Sequence, residues 1–378
     1  MDAIPVSATG ESLRSLDIDQ VARIAMGATL LGAGGGGDPY ISLLAARQFH
    51  AQGGGHADLI SLRDLDDDAQ VICVAGFGAP TVEKERLFEL PHVVHSVRTL
   101  EDHIGRKADA LISAEMGGCN SLIPIVAAAA CGLPVIDGDG MRRAFPELQM
   151  TSFSISGISA SPFVMTDEHL NTVICHSKDD KKGEAIARAV CMGMGLFSIL
   201  SAYPMTGRDA KRVAIPDTVT LALELGRAIE NARSGASPID SLVEGIRSSA
   251  GNIDVVRLFD GKVVDVWRST ERGFAIGWVD LAPLDGASLR AHIEFRNEYL
   301  ALTLDGVPRA LTPDLICIVD SETAEPIPTP DVRYGQRVTA LGLSCHPMFR
   351  TEHALKVVGP EAFGMKHTYR PLTELAAL

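Results

Sequence analysis

Glu115-Met-Gly-Gly-Cys-Asn-Ser-Leu-Ile-Pro-Ile-Val-Ala-Ala-Ala-Ala-Cys-Gly-Leu-Pro-Val-Ile-Asp-Gly-Asp-Gly140 is the stretch whose reading decides the fold. It follows residues 108–114, an apolar run of strand length. It passes through a helix of small residues at 122–131 and enters a second short apolar strand at 133–136. A strand, a short apolar helix and a second strand in this order predict an α/β layer. The second strand stops on Asp137-Gly138-Asp139-Gly140. Open α/β sheets place ligands beyond strand ends, so Glu115, Asp137 and Asp139 become candidate functional carboxylates.

Toward the N-terminus, Asp17 is an N-cap for a helix reaching Leu31, with apolar residues at helical spacing. Asp38-Pro39, an N-cap followed by proline at the first helical position, opens a second helix to about His50. Gly34, Gly35, Gly36 and Gly37 therefore form a loop between two helices. Four glycines let backbone N–H groups approach a ligand, and the helix N-terminus after Asp38 favours an anion. The loop does not follow a strand, and no Gly-Lys-Ser/Thr follows it. It is neither a dinucleotide fingerprint nor a P-loop.

Residues 71–77 read as a strand leading to Gly78-Ala79-Pro80 and a charged segment with Glu83, Lys84 and Glu85. Residues 150–158 and 171–176 read as strands, 179–202 as one helix, and 218–234 and 239–249 as helices. Beyond Gly251 the pattern changes to short alternating strands at 253–260, 262–269, 273–280, 288–294, 298–304, 315–320 and 337–343. Asp260-Gly261 and Asp305-Gly306 read as hairpin turns. This predicts an α/β domain over 1–248, a smaller β-barrel or sandwich over 249–350, and a segment 351–378 packing back on the first domain.

The chain has 378 residues and a formal net charge of -14, which argues against binding a nucleic-acid backbone. No apolar stretch reaches membrane-spanning length, and the first residues lack the basic and apolar regions of a signal peptide. Seven cysteines are scattered singly, mostly in apolar runs, as expected of buried free thiols in a reducing cytoplasm. Gly-x-Ser-x-Gly and His-Glu-x-x-His are both absent.

A turn through Gly138 and Gly140 lets Asp137 and Asp139 converge. One would serve as a general base on water, the other as an orienting group or metal ligand; the alternative is an Asx-turn ending the strand. Glu147 follows Phe145-Pro146, a constrained turn that suits a held carboxylate. Asn120 either caps the small-residue helix or contacts ligand, and Arg142 and Arg143 add positive charge. Asn297-Glu298 and Thr312-Pro313-Asp314 read as turn chemistry. Cys345-His346 is an adjacent pair that a soft metal could use, but no second cluster follows at zinc spacing. No cofactor is required by this pattern, although an acidic cluster is compatible with a divalent metal.

Taken together, residues 31–39, Glu115-Met-Gly-Gly-Cys-Asn-Ser121, Asp137-Gly-Asp-Gly-Met141 and Arg143-Ala-Phe-Pro-Glu147 resemble the S-methyl thiohydantoin desulfurase-like family. Later segments fit the same pattern: Arg272-Gly-Phe, Phe295-Arg-Asn-Glu298, Pro313-Asp-Leu-Ile316, Arg333-Tyr-Gly335, Val358-Gly-Pro360 and Phe363-Gly364. The resemblance spans nearly the whole chain. It implies a three-layer α/β domain with a small β-barrel domain, and an association with hydantoinase/oxoprolinase-type enzymes. It also implies a cytoplasmic hydrolase of a small cyclic ureide, in which water attacks the ring carbon bearing a methylthio group and methanethiol leaves. In such a reaction Asp137 or Asp139 would activate water, Glu147 or Glu115 would supply a proton, and Asn120, Arg143 or the glycine-loop amides would hold the ring. The alternative is a non-catalytic subunit or small-molecule-binding partner of such a system. A homo-oligomer is the expected assembly. The chain departs from the family pattern at Arg142, where a glycine is expected.

Overall fold

The structure, a computed structural model, describes residues 15–78, 82, 89–271 and 273–377. Ala79, Pro80, Glu83, Lys84, Glu85 and Arg272 lie outside the described residues.

Helix α1 (Ile18–Leu31) begins where the sequence says it should. Asp17 accepts a hydrogen bond from Gln20 N at 2.8 Å, and the Gln20 side chain accepts one from Asp17 N at 3.0 Å. This reciprocal pair satisfies two helix-terminal donors. α1 crosses the helix Thr218–Arg233 at backbone distance: a Cβ on Gly27 would lie 1.8 Å from the Ala222 carbonyl oxygen, so only glycine fits. Helix α2 (Pro39–Ala51) follows the glycine loop and is capped by Asp38, which accepts from Tyr40 N at 2.9 Å.

The first sheet holds nine strands: β1 (Ser15–Leu16), β2 (Ala57–Ser61), β3 (Gln70–Gly78), β4 (Ala110–Ser113), β5 (Val135–Asp139), β6 (Phe163–Thr166), β7 (Thr172–Cys175), β8 (Phe197–Thr206) and β9 (Ile215–Pro216). Their order is β1-β2-β5-β4-β3-β8-β6-β7, with β9 added to β5. The centre, β2-β5-β4-β3, is parallel, and the flanking strands are antiparallel. The small-residue helix Ile123–Cys131 makes the crossover from β4 to β5. Parallel strands covered on both faces explain the unbroken apolar runs at β3 and β4.

Two sequence expectations fail here, the first for a local reason and the second for a tertiary one. Residues 150–158 form a 3₁₀ turn (Leu148–Met150) and a short helix (Ser152–Ile155), because the Thr151 hydroxyl accepts Ser154 N at 3.1 Å and starts a helical turn. The predicted helix 179–202 ends at Gly193. Gly195 and Leu196 take φ +77° and +72°, and the apolar run after them pairs with β3 as β8.

The second sheet holds seven antiparallel strands: β10 (Val255–Glu271), β11 (Phe274–Ala282), β12 (Ala291–Arg296), β13 (Glu298–Leu304), β14 (Val307–Leu311), β15 (Leu315–Asp320) and β16 (Arg337–Leu343). It runs β14-β13-β12-β11-β10-β16-β15 as a curled half-barrel, with β14 and β15 as its two ends rather than as a hydrogen-bonded closure. Asp305-Gly306 turns between β13 and β14, both at positive φ. Asp260-Gly261 is not a turn. It lies inside the long strand β10, where a Cβ on Gly261 would meet the Ala282 carbonyl at 2.2 Å.

The two sheets meet at the glycine loop. Tyr299 N donates to the Ala33 carbonyl at 2.8 Å, and Thr329 N donates to the Gly34 carbonyl at 3.0 Å. The C-terminal segment divides between the two. Ala354 and Val358 join the large core that the first sheet shares with β15 and β16, whereas Leu372 packs into the core of the second sheet. Among the described residues no helix is long and apolar enough to cross a membrane.

Candidate active site

A cleft opens where the C-terminal ends of β3 and β4 face the glycine loop and the start of β13. Its walls carry Glu115, Asn120, Glu147, Arg188, Asn297 and Glu298 among apolar side chains that include Phe77, Phe145 and Phe197. The cleft lies beyond the ends of β3 and β4, the kind of position where the sequence reading looked for a ligand.

Glu115 follows β4 and is buried. Asn120 Nδ2 donates to one of its carboxylate oxygens at 2.7 Å, and Phe145 N donates to the other at 3.1 Å. Asn120 is itself fixed, since Gly76 N on β3 donates to its Oδ1 at 2.7 Å. Burial pushes the Glu115 pKa up to about 7, outweighing those two hydrogen bonds, and the Asp139 charge adds to the rise. Of the two sequence readings of Asn120, the cap makes no side-chain hydrogen bond to the helix Ile123–Cys131; the side chain instead clamps Glu115 on the cleft wall.

Glu147 also lines the cleft and forms an ion pair with Arg296 at 3.0 Å. Arg188, from the helix Asp180–Gly193, pairs with Glu184 and donates to the Pro146 carbonyl at 2.7 Å. Its guanidinium lies over Phe77 and Phe274, at 4.1 and 4.5 Å from the ring centroids, and Arg296 lies 4.1 Å from Phe274.

The expected convergence of Asp137 and Asp139 does not occur. The strand continues through both residues, and neither lines the cleft. Asp137 accepts Val219 N at 2.9 Å, Thr220 N at 3.1 Å and the Thr220 hydroxyl, so it holds the start of the helix Thr218–Arg233. Asp139 accepts Met116 N at 2.6 Å, Met141 N at 3.1 Å and Arg142 N at 2.7 Å, tying the loops after β4 and β5 together. Burial raises both, to about 6 and about 7, against these hydrogen bonds.

Asp38 is likewise spent on its own helix, and its carboxylate occupies the N-terminus where an external anion was expected. Gly36 and Gly37 line the cleft, while Gly34 and Gly35 are packed against the second sheet. Arg143 is fully buried away from the cleft, donating to the Pro313 and Asp314 carbonyls at 2.6 and 3.2 Å with its guanidinium over Phe145. Arg142 stands where the family pattern expects glycine, and the backbone shows why: its φ is +54°, in the left-handed region.

Among the described residues no group of three or more His, Cys, Asp or Glu side chains is placed to hold a metal ion. Burial lowers the His346 pKa to about 4, with Arg142 adding to the effect, and raises Cys345 to about 12.

Sequence reasoning missed Arg188, hidden in a helix, and set Glu298 aside as a turn residue. The signal for Glu298 lay in Phe295-Arg-Asn-Glu298, one of the segments carrying the family resemblance.

Two family models match consecutive parts of the chain: S-Me-THD-like, N-terminal domain, over residues 19–177, and S-Me-THD-like, C-terminal domain, over residues 178–372. Their boundary precedes β8, so the C-terminal match contributes Arg188 and two strands of the first sheet, β8 and β9, as well as the whole second sheet. No match was found among curated proteins. A crystal structure of a protein from Chromobacterium violaceum has the same fold, with a TM-score of 0.81 at 20% identity over 95% of this chain and 99% of that one. With both family domains present in order, the chain belongs to the S-Me-THD-like family.

Proposed function

We propose that the protein is a hydrolase of a five-membered cyclic ureide, and that it acts as an S-methyl thiohydantoin desulfurase. Water attacks the ring carbon bearing the methylthio group, methanethiol leaves, and a hydantoin remains. Family membership supports the substrate class. The observation that carries the chemistry is Glu115: a buried carboxylate on the cleft wall, oriented by Asn120 and Phe145 N, with its pKa raised to about 7. A base is most effective when its pKa lies near the working pH. Glu115 therefore takes the role the sequence offered to Asp137 or Asp139.

Asn120 acts as a positioning residue, fixing which Glu115 lone pairs face the cleft. Phe77, Phe145 and Phe197 give a flat ring an apolar wall, and burial there excludes competing water. Arg188 is the cation among the lining residues and receives a carboxylate tail on the ring.

The test is incubation with an S-methyl thiohydantoin carrying a carboxylate tail, with and without chelator, following free thiol and product mass. Thiol release with an intact hydantoin supports the proposal, and loss of release on chelation adds a metal to it. Addition of water without thiol release means ring opening. A ligand that binds and stays intact means a binding subunit.

A further inference from the structure

Glu298 is the one cleft carboxyl that the second sheet supplies, and its surroundings leave it unspent. The residue is 2% exposed, and its Oε2 is buried with no hydrogen-bond partner among the described residues. A buried polar atom without a partner is costly, and where it persists at a cavity wall it marks a position that a ligand completes.

The backbone around it is held in place. Asn297 takes φ +61°, a conformation that favours glycine, and is braced on three sides. Asn297 N donates to the Ala275 carbonyl at 2.7 Å, Ala275 N donates to Asn297 Oδ1 at 2.8 Å, and the Thr329 hydroxyl donates to the Asn297 carbonyl at 2.8 Å. Gly35 gives the carboxyl its room: a Cβ there would lie 2.1 Å from Glu298 Oε1. A backbone held by neighbouring bonds at positive φ, beside a carboxyl with one oxygen unpartnered, is the arrangement expected at a working site.

We propose that Glu298 is the proton donor to the departing sulfur. The proposal rests on the desulfurase reading above. Water's oxygen bonds to the ring carbon as its first proton passes to Glu115 and on to the ring nitrogen. The carbon–sulfur bond then breaks with its electron pair going to sulfur, which takes the Glu298 proton and leaves as methanethiol. As the carbonyl forms, water's second proton returns to Glu298. Burial, and then the Glu115 charge, keep Glu298 protonated well above the usual carboxyl range. Arg143 pulls the other way; its Nη1 donates to the Pro313 and Asp314 carbonyls and its Nε to the Ala144 carbonyl, while its buried Nη2 has no hydrogen-bond partner among the described residues. Two buried carboxyls on one cleft wall, where the charge of one raises the proton affinity of the other, do not ionise together, so one serves as base and the other as acid.

The test compares two substrates that differ only in the leaving group: methanethiolate, which needs a proton to depart, and 4-nitrobenzenethiolate, which does not. Glu298→Gln lowers kcat on the S-methyl substrate by on the order of 100-fold and on the S-nitrophenyl substrate by no more than about threefold. Equal losses on both substrates overturn the acid role while leaving the desulfurase reading intact. Absence of turnover of both substrates by the wild-type protein overturns that reading and the acid role with it. If Glu298→Gln does not fold, the wild-type pH profile decides. The alkaline limb of kcat is present with the S-methyl substrate and absent with the S-nitrophenyl one, and identical limbs refute the proposal.

Discussion

Replacing Asp137 separates a scaffold carboxylate from a catalytic one. The side chain accepts two backbone N–H groups and one hydroxyl at the start of the helix Thr218–Arg233, at a position 3% exposed. Asp137→Ala removes a helix-terminal cap, worth about 1–2 kcal/mol. It also leaves buried donors unpaired, for a total of roughly 3 kcal/mol. In a chain of this size that lowers the melting midpoint by about 5 °C. Asp137→Asn keeps a carbonyl oxygen for the two amides and stays within about 1 kcal/mol of wild type at pH 7.

The two variants also differ from wild type in pH dependence. Burial raises the Asp137 pKa from 3.8 to about 6, so folding favours its neutral form. That contribution is complete below pH 3.8 and is lost as pH rises through 6. Acidification from pH 7 to pH 5 therefore recovers about 1 kcal/mol in wild type through this group, and nothing in Asp137→Asn. Thermal unfolding at the two pH values, with thiol release measured in parallel, checks both points. An Asp137→Asn protein that melts like wild type but loses turnover would refute the reasoning and return Asp137 to catalysis.

Two glycine substitutions probe the packing around the glycine loop. Gly35→Ala forces the Glu298 carboxyl out of its place, so turnover falls by at least about tenfold while the melting midpoint moves by only a few degrees. Kinetics beside a melting curve separate the two effects. Gly118→Ala puts a Cβ 2.1 Å from the Gly37 carbonyl oxygen at φ +48°, with backbone rather than side chain in the way. It destabilises by at least about 2 kcal/mol, read from denaturant unfolding.

Local signals in the sequence were read correctly where they were self-contained. Asp17 starts a helix with Gln20 through reciprocal side-chain bonds, Asp38 starts another ahead of Pro39, and strands such as Ala291–Arg296 after Gly251 alternate as read, with Ala291, Ile293 and Phe295 in one core. Local signals also misled, at Thr151, which caps a short helix where a strand was expected, and at Asp260-Gly261, which lies inside β10. The end of the helix expected over 179–202 is decided by remote chain. Phe197 to Ala202 is helical in pattern but pairs with β3, and the glycines at 193 and 195 let the chain turn first. The site divides the same way. Glu115, Asn120 and Glu147 lie close in sequence to the glycine turns that shape the cleft, and they were legible. Asp137 and Asp139 carried the same signal, but their partners, Val219, Thr220 and Met116, come from segments that spacing cannot locate. Glu298 reaches the cleft only because the second sheet grips the glycine loop, a docking that leaves no periodicity in the chain.

The most direct measurement is the pH dependence of thiol release from a carboxylate-bearing S-methyl thiohydantoin by wild type and Glu115→Gln. A general base must be ionised, so wild-type kcat/KM falls as pH drops through about 7, the value to which burial raises Glu115. Glu115→Gln loses on the order of 100-fold or more of its activity above that pH, and with it the acid limb. Full turnover by Glu115→Gln, with the limb unchanged, would contradict the account.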